Sequence, residues 1–280
     1  MSKDAIGSVL MGPLDKLEKL KNDVEKLARM AVAFSGGVDS TFLLKVAYDV
    51  LKEDVIAITA RSVVFPQREF NEAMDFVRDL GVRHVLVDAG ALELENLYNN
   101  PEDRCYHCKK EIFKKILETA EAFNIKHVAD GSNMDDLGDY RPGMAALREL
   151  GILSPLKDAG FTKDDIRVLS RDMGLPTWDK PALACLATRI PYGERITKEK
   201  LGMIDKAEQY LIDMGFRQVR VRHHGDIARI EVPTVERSRF FDEELLDKVY
   251  GKFKEIGFRY TALDLKGYRT GSMNEGINTK

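Results

Sequence analysis

The sequence predicts an α/β protein with a parallel sheet, followed by a small α+β domain. Over the first 190 residues, short apolar runs alternate with amphipathic helical stretches. This alternation is typical of a parallel sheet, because a helical crossover connects each strand to the next. After Pro191 the order changes to helix, hairpin, helix and strand, which predicts an α+β unit with an antiparallel sheet. We therefore expect two domains, at 1–190 and 191–280.

The spacing of apolar residues places the elements of both domains. Gly81 and Thr162 mark a helix end and a helix start, because glycine favours the C-cap and threonine the N-cap. The expected strands are 31–34, 55–59, 84–87, 126–129, 218–222, 227–232 and 260–265. The expected helices are 14–29, 39–51, 67–80, 109–123, 144–150, 163–173, 197–214 and 240–256.

A glycine-containing loop follows the first strand. Ser35-Gly36-Gly37-Val38-Asp39-Ser40 joins that strand to a helix, and two glycines allow a sharp turn close to a ligand. The loop amides and the helix N-terminus then face the same side and form an anion site, as for phosphate. The loop is not of the Walker type, since no lysine follows Gly37, and it is not a G-x-G-x-x-G loop.

Polar residues also follow two other strands. Thr59 and Arg61 end the second strand, and Asp130–Asn133 followed by 135–143 form a charge-dense loop after the fourth. Ligands of parallel sheets bind at the carboxyl ends of the strands. We therefore expect substrate contacts from these segments.

Composition excludes several classes of protein. The chain has 280 residues, 44% hydrophobic and 32% charged, with a net charge of −3. This charge does not favour nucleic acid or membrane partners. The N-terminal 13 residues contain no apolar core of signal-peptide length, and no apolar run could span a bilayer. We expect a cytoplasmic protein.

The cysteines are few and suggest a metal centre. Cys105 and Cys108 form a C-x-x-C pair, and Cys185 is remote in sequence. A four-thiolate zinc site is excluded within one chain, whereas three thiolates on a four-iron cluster would leave one iron open. His107 as a fourth ligand would close such a site. A thioredoxin-type redox pair, and a buried Cys185 that acts only as a small hydrophobe, remain alternatives.

The loop SGGVDS resembles the pyrophosphate loop of the N-type ATP pyrophosphatases. Together with DGSNMDDLGDYRPG, CLATRIPYG, VRVRHHGDIARIEVP and the segment 263–274, it resembles the LarE family over nearly the whole chain. The resemblance implies an adenine nucleotide alpha hydrolase-like fold and an ATP-dependent sulfur transferase. In this family ATP and Mg²⁺ adenylate the carboxylates of pyridinium-3,5-biscarboxylic acid mononucleotide. Sulfur then displaces AMP to give thiocarboxylates for the nickel-pincer nucleotide cofactor.

The resemblance also implies roles for individual residues. Arg189 should lie beside Cys185 and the ATP phosphates and act in catalysis with the three cysteines. Arg220 and Arg222 should bind the substrate phosphate. Glu208 and Glu231 match metal-site carboxylates, but the third carboxylate falls near Arg239, which puts that metal site in doubt. The residues implied for ATP and its Mg²⁺ are Ser35, Gly36, Gly37, Asp39 (the Mg²⁺ ligand), Ser40, Thr59 and Asp130.

LarE proteins are of two kinds, and the cysteines here match the second. One kind sacrifices the sulfur of a single cysteine at the position of Cys185, and the other holds a [4Fe-4S] cluster on three cysteines. Cys105, Cys108 and Cys185 therefore imply a cluster, oxygen sensitivity and a sulfide or persulfide donor. The family also implies a trimer or hexamer assembled through the small domain. Sacrifice of Cys185, with the C-x-x-C pair only assisting, is the alternative.

Other functions have distinguishable requirements. A cluster-dependent tRNA thiolation enzyme would bind RNA, against which a net charge of −3 without a basic tail argues. A relative of NAD synthetase would use ammonia and need no cysteine. A non-enzymatic cluster or zinc protein would show no ATP–pyrophosphate exchange. We therefore expect neither a nucleic acid nor a membrane partner.

Overall fold

The structure is a computed structural model that describes residues 11–90, 98–138, 142–182 and 184–269. Some sequence predictions concern residues outside these ranges. They are part of the N-terminal segment at 1–10, the polar loop at 139–141, residue 183 before Cys185, and the end of the C-terminal motif at 270–274. Within the described ranges, no helix has both the length and the apolar character needed to cross a membrane.

The first sheet is parallel throughout and confirms the predicted fold class. Its strand order is β3-β2-β1-β4, and Leu153 pairs beside Ala129 at the β4 edge. Most residues of the central strands are buried and apolar, as is usual where helices cover both faces of a sheet. The fourth strand is only two residues long. The strands are β1 Met30–Ala33, β2 Val55–Arg61, β3 Arg83–Asp88 and β4 Val128–Ala129.

Helices pack on both faces of this sheet because neighbouring strand residues point to opposite sides. Val32 belongs to one apolar cluster with Phe42 and Phe161, whereas Ala31 belongs to another with Ile116. The helices are α1 Pro13–Leu27, α2 Val38–Leu51, α3 Gln67–Leu80, α4 Arg104–Ala122, α5 Pro142–Glu149, α6 Pro155–Asp158 and α7 Lys163–Asp172. Short 3₁₀ helices span Lys52–Asp54, Met134–Gly138 and Leu186–Arg189.

Local signals predicted two helix ends correctly. Gly81 caps the end of α3 in the left-handed conformation. Thr162 caps the start of α7: its Oγ1 accepts from the amide of Asp165, and the Asp165 carboxylate accepts from the Thr162 amide. These contacts need only residues close in sequence, which is why the sequence reveals them.

A second, three-stranded sheet has the order β5-β6-β7. The first two strands form the expected antiparallel hairpin, but β7 pairs parallel to β6, so the prediction of an antiparallel sheet is wrong at that strand. The reason is that a helix intervenes and carries the chain back to the starting end of the sheet. The elements are α8 Lys198–Asp213, β5 Arg220–His224, β6 Ile227–Glu231, a 3₁₀ helix Thr234–Phe241, α9 Glu243–Ile256 and β7 Tyr260–Leu263.

The start of α4 is a second correction. We expected this helix to begin at residue 109, after the C-x-x-C pair, but it begins at Arg104. The Arg104 guanidinium donates to the nearby side chain of Asn100 and, at 2.9 Å, to the carbonyl of Ala187, which is distant in sequence. The distant contact helps to hold the extra turn. Cys105 and Cys108 therefore lie three residues apart on one helix, close to the same face.

Phe253 should be a principal contributor to the stability of the smaller sheet. It is fully buried on α9, whereas Phe241 is 87% exposed. We expect Phe253→Ala to lower the free energy of unfolding by about 3–5 kcal/mol, because it leaves a cavity. Phe241→Ala should change it by less than about 0.5 kcal/mol. Urea titration followed by circular dichroism measures both, and equal losses would contradict the assigned packing.

Candidate functional site

The predicted phosphate loop lies between the end of β1 and the start of α2. Gly36 has a φ of +72°, and a Cβ there would lie 2.7 Å from the Cβ of Ala73 on α3. Gly37 is the N-cap of α2 and has an extended backbone. Both the backbone conformation and the contact with α3 therefore require glycine at position 36, and they hold the loop against that helix.

Two serines close the loop. The Ser40 hydroxyl donates to the carbonyl of Gly37 at 3.2 Å, and the amide of Ser35 donates to Ser40 Oγ at 3.3 Å. The two hydroxyl oxygens are 3.1 Å apart. The structure thus brings together the residues that the sequence predicted for phosphate binding.

Asp39, the predicted Mg²⁺ ligand, is contacted by Lys163, which the sequence did not identify, and by Asn133, which lies in a segment predicted to contact substrate. Lys163, the first residue of α7, forms an ion pair with Asp39, and Asn133 Nδ2 donates to Asp39 Oδ1 at 3.2 Å. Asn133 belongs to the polar loop after β4. In the same loop, a Cβ on Gly131 would lie 2.9 Å from the amide nitrogen of Ser40. The loop after β4 therefore packs directly on the phosphate loop, as expected for neighbouring strand ends.

Thr59 and Asp130, predicted for the ATP site, make internal hydrogen bonds. Thr59 Oγ1 donates to the carbonyl of Phe34 at 2.9 Å, so His84 Nε2, also at 2.9 Å, must be the donor to Thr59. Burial lowers the pKa of His84. Asp130 accepts from Ser154 Oγ at 2.8 Å and also from Ser132. Both residues are buried beside the phosphate loop, and a direct contact with ATP stays a prediction.

A cavity of about 400 Å³ opens at the carboxyl ends of β2 and β3. Its far wall includes Leu186, whose amide donates to the carbonyl of Val64 at 2.7 Å. The cavity thus extends from the sheet edge to the residue after Cys185. Its lining residues are Ala60, Arg61, Ser62, Val63, Phe65, Gln67, Phe70, Asp88, Gly90, Leu186, Lys198, Leu201, Gly202 and Asp205.

The three cysteines lie near one another, although they come from two distant parts of the chain. Cys108 on α4 and Cys185 pack against the same apolar cluster, which includes Ala187 and Ile190. Burial raises the pKa of Cys105, and the charge of Cys185 raises it further. Burial and the charges of the other two sulfurs raise the pKa of Cys108 to about 12. Each thiol is therefore within electrostatic range of another.

The cysteines suit a thiolate-bound metal group by their chemistry but not fully by their arrangement. Binding of a metal would displace the thiol protons that the raised pKa values retain. However, no group of three or more His, Cys, Asp or Glu side chains in the described part of the chain could hold a metal ion as placed. His107, considered above as a fourth ligand, forms a hydrogen bond between its Nε2 and Asp103 Oδ2 at 3.0 Å.

Arg189 lies beside Cys185, as the family resemblance implied, and it is 1% exposed. Its Nη1 donates to the carbonyls of Ala184 at 2.8 Å and Cys185 at 2.9 Å. Its Nε and Nη2 bind the two oxygens of Glu208 at 2.8 and 3.0 Å, and Glu208 also accepts from the amide of Val221. Burial favours a higher pKa for Glu208, but Arg189 outweighs it, and the pKa is lowered. A charged pair therefore fixes the backbone of Cys185.

Arg220 and Arg222 are buried and do not form a solvated strand face. Arg220 Nη2 donates to the carbonyl of Ala182 at 2.8 Å. Arg222 donates to the carbonyl of Thr188 at 2.9 Å and pairs with Glu231 at 2.7 Å. Burial and then the charge of Arg189 lower the pKa of Arg220.

The carboxylates predicted for a metal site bind arginines. Glu208 pairs with Arg189, and Glu231 pairs with Arg222 and, at 3.0 Å, with Arg229. At the third position, Arg239 donates to two carbonyls and lies 3.8 Å from the ring of Phe216. Metal binding at Glu208 and Glu231 stays a prediction.

Lys180 is a further residue that the sequence did not identify. Its Nζ donates to the carbonyl of Gly36 at 3.1 Å, so it contacts the phosphate loop directly. The same ammonium pairs with Glu69 and Glu72 of α3. In the sequence, Lys180 is only the residue before Pro181. No local pattern indicates its contacts with Gly36, Glu69 and Glu72, which are remote in the chain.

The fold and this loop define the class of the protein. A parallel sheet with a glycine-containing phosphate loop after its first strand is the arrangement of the PP-loop ATP pyrophosphatases. In agreement, the family model described as NAD synthase matches residues 15–118, which include the loop. The class consists of enzymes that use ATP.

Three relatives resemble nearly the whole chain. An uncharacterised protein of Synechocystis sp. is 44% identical over 92% of this chain and 97% of its own. The pyridinium-3,5-bisthiocarboxylic acid mononucleotide synthase of Lactiplantibacillus plantarum is 39% identical over 91% of this chain and 92% of its own. An uncharacterised protein of Methanocaldococcus jannaschii is 29% identical over 92% of this chain and 98% of its own. The chain belongs to the LarE family, the family of that synthase.

Gly36 should be essential for nucleotide binding. Gly36→Ala combines left-handed strain of roughly 1–2 kcal/mol with a clash against Ala73 that displaces the loop. We expect the Kd for α,β-methylene-ATP, measured calorimetrically with Mg²⁺, to rise at least about tenfold, equivalent to about 1.4 kcal/mol.

Gly174→Ala is the matched control. Gly174 has a φ of +68° but nothing within 4 Å of a Cβ. It carries the same backbone strain without the clash, so its affinity for the nucleotide should be unchanged. An unaltered affinity in Gly36→Ala as well would refute the assignment of the loop.

Proposed function

We propose that the protein is an ATP-dependent sulfur transferase. Its substrate would be pyridinium-3,5-biscarboxylic acid mononucleotide, whose carboxylates it converts to thiocarboxylates during biosynthesis of the nickel-pincer nucleotide cofactor. The observation that carries this proposal is the contact between the phosphate loop and the segment before Cys185, through Lys180 and Gly36. It joins ATP chemistry to a sulfur-bearing residue in a chain 39% identical to the named synthase.

The first half-reaction would be adenylation. A substrate carboxylate oxygen attacks the α-phosphorus of ATP, the new P–O bond forms, and pyrophosphate leaves with the electrons of the broken bond. Gly36, Gly37 and the two serines would bind the departing phosphates, and Asp39 would hold Mg²⁺. Loop donors that are already in place stabilise the developing charge without reorganisation. Thr59 and Asp130 would support the nucleotide from the neighbouring strand ends.

The second half-reaction would be sulfur transfer. A hydrosulfide sulfur attacks the carbonyl carbon of the acyl adenylate, a C–S bond forms, and the C–O bond to AMP breaks. AMP leaves with the bonding electrons, and the thioacid loses its proton to solvent. Adenylation is needed because an oxide is a poor leaving group and AMP is a good one. The second carboxylate would react in the same way.

We further propose that Cys105, Cys108 and Cys185 hold a [4Fe-4S] cluster. The three thiolates would hold the cluster, which would supply the hydrosulfide needed for transfer. The nearness of the three thiols, and their anchoring by Arg104 and Arg189, support this assignment. Sulfide or a persulfide would be the sulfur donor.

Arg220 and Arg222 are proposed to bind the substrate phosphate. Both are buried cations that donate to carbonyls of the segment around Cys185. A phosphate dianion would complement these two guanidinium groups. We also propose domains at 1–190 and 191–280, a trimer or hexamer assembled through the smaller domain, and a cytoplasmic location.

The test of the activity is product analysis. Protein purified without oxygen is incubated with the biscarboxylic mononucleotide, ATP, Mg²⁺ and sodium sulfide. We expect pyrophosphate, AMP and thiocarboxylate products, detected by mass spectrometry. Cys185→Ala should abolish the thiocarboxylates and still release pyrophosphate, because adenylation needs no thiol. Pyrophosphate release without any thiocarboxylate in the wild type would contradict sulfur transfer.

The test of the cluster is iron and sulfide analysis of the same anaerobic protein. We expect about four irons per chain, lost in Cys105→Ala or Cys108→Ala. A protein that cannot be loaded with iron would contradict the cluster. Loss of one H₂S from Cys185 after turnover would then indicate a sacrificial cysteine.

A further inference from the structure

Lys180 joins three parts of the site through a single ammonium group. It precedes Cys185 in the sequence and donates to the carbonyl of Gly36 at 3.1 Å. It also pairs with Glu72 at 2.7 Å and with Glu69, and its side chain is only 11% exposed. The phosphate loop, helix α3 and the segment before Cys185 therefore meet at this nitrogen.

The charges around Lys180 argue against a direct role in binding phosphate. Arg68 Nη2 lies 3.0 Å from Glu69 Oε1, and Arg68 Nε lies 3.6 Å from Glu72 Oε1. Two cations thus face two carboxylates, and the cluster is neutral. An ammonium group that carboxylates already neutralise attracts a phosphate weakly. The role of Lys180 is therefore better explained by the contacts that it holds in place.

The backbone around Lys180 is anchored as well. Arg167 donates to the carbonyls of Lys180 at 2.7 Å and Trp178 at 3.1 Å, and Arg220 donates to the carbonyl of Ala182 at 2.8 Å. The backbone here cannot easily adjust by itself. The contact between Lys180 and the phosphate loop therefore ends on a backbone that is itself held in place.

We propose that Lys180 is a positioning residue that couples occupancy of the phosphate loop to placement of Cys185. The inference rests on the proposed function for its catalytic consequence. An acyl adenylate can react with hydrosulfide, forming C–S and releasing AMP, or with water, forming C–O and returning the carboxylate with AMP. Placement of the Cys185 segment against the filled loop favours the sulfur reaction over hydrolysis.

The direct test is hydrogen exchange with and without α,β-methylene-ATP and Mg²⁺. In the wild type, we expect the nucleotide to slow exchange both at 36–41 and at 182–188. In Lys180→Met, the nucleotide should protect the phosphate loop only. Lys180→Arg, which keeps the charge and donors, should restore protection of both segments. Equal protection of both segments in Lys180→Met, or no protection at 182–188 in the wild type, would overturn the proposal.

A matched control separates coupling from general destabilisation. Lys45 Nζ forms an ion pair with Asp49 Oδ2 at 2.5 Å, within α2. This pair involves neither the phosphate loop nor the segment before Cys185. Lys45→Met should behave as the wild type. If Lys180→Met acted only by destabilising the fold, hydrogen exchange would instead accelerate at 36–41 and at 182–188 together.

A second readout is the ratio of thiocarboxylate to AMP in the presence of sulfide. We expect Lys180→Met to lower this ratio about tenfold at saturating ATP, since small misplacements of reacting groups are costly. A parallel fall of both products would overturn the proposal. The proposed activity fails separately, if the wild type forms no thiocarboxylate while nucleotide still protects both segments.

Discussion

The buried pair of Arg189 and Glu208 is the interaction on which the site depends. Removing two charges from water costs several kcal/mol per ion, which is offset only by close geometry and further hydrogen bonds. Here the guanidinium binds both carboxylate oxygens, and its remaining donors bind the carbonyls of Ala184 and Cys185. Loss of one partner would leave an unpaired buried charge, which typically lowers the free energy of unfolding by about 3–5 kcal/mol. The same pair joins α8 to the cysteine segment.

That pair belongs to a wider pattern in which arginine side chains, rather than backbone amides, donate hydrogen bonds to backbone carbonyls. The described residues from Trp178 to Cys185 are in neither a helix nor a strand. Several of their carbonyls accept instead from guanidinium groups, those of Arg167, Arg220 and Arg189. Buried carbonyl groups need such partners, and rigid planar donors hold them in fixed directions. These contacts therefore hold the backbone of Cys185 in one place.

Sequence reasoning succeeded where the cause is local. Gly81 and Thr162 act within a few residues, and the phosphate loop is a continuous string, so each was visible before the fold. It failed where distant contacts decide: Arg104 extends α4 through its bond to Ala187, and the crossover through α9 makes β7 parallel. Local propensity could reveal neither, because both depend on residues remote in the chain.

The sequence by itself determined the α/β class, the phosphate loop and the family, since alternation of elements and continuous motifs survive without coordinates. Only the tertiary structure decided which charges meet. It placed Lys180 on Gly36, Lys163 on Asp39 and Arg189 on Glu208, and it brought Cys185 near the C-x-x-C pair. The physical reason is that electrostatic interactions depend on distance in space and on burial, which charge order along a chain does not encode.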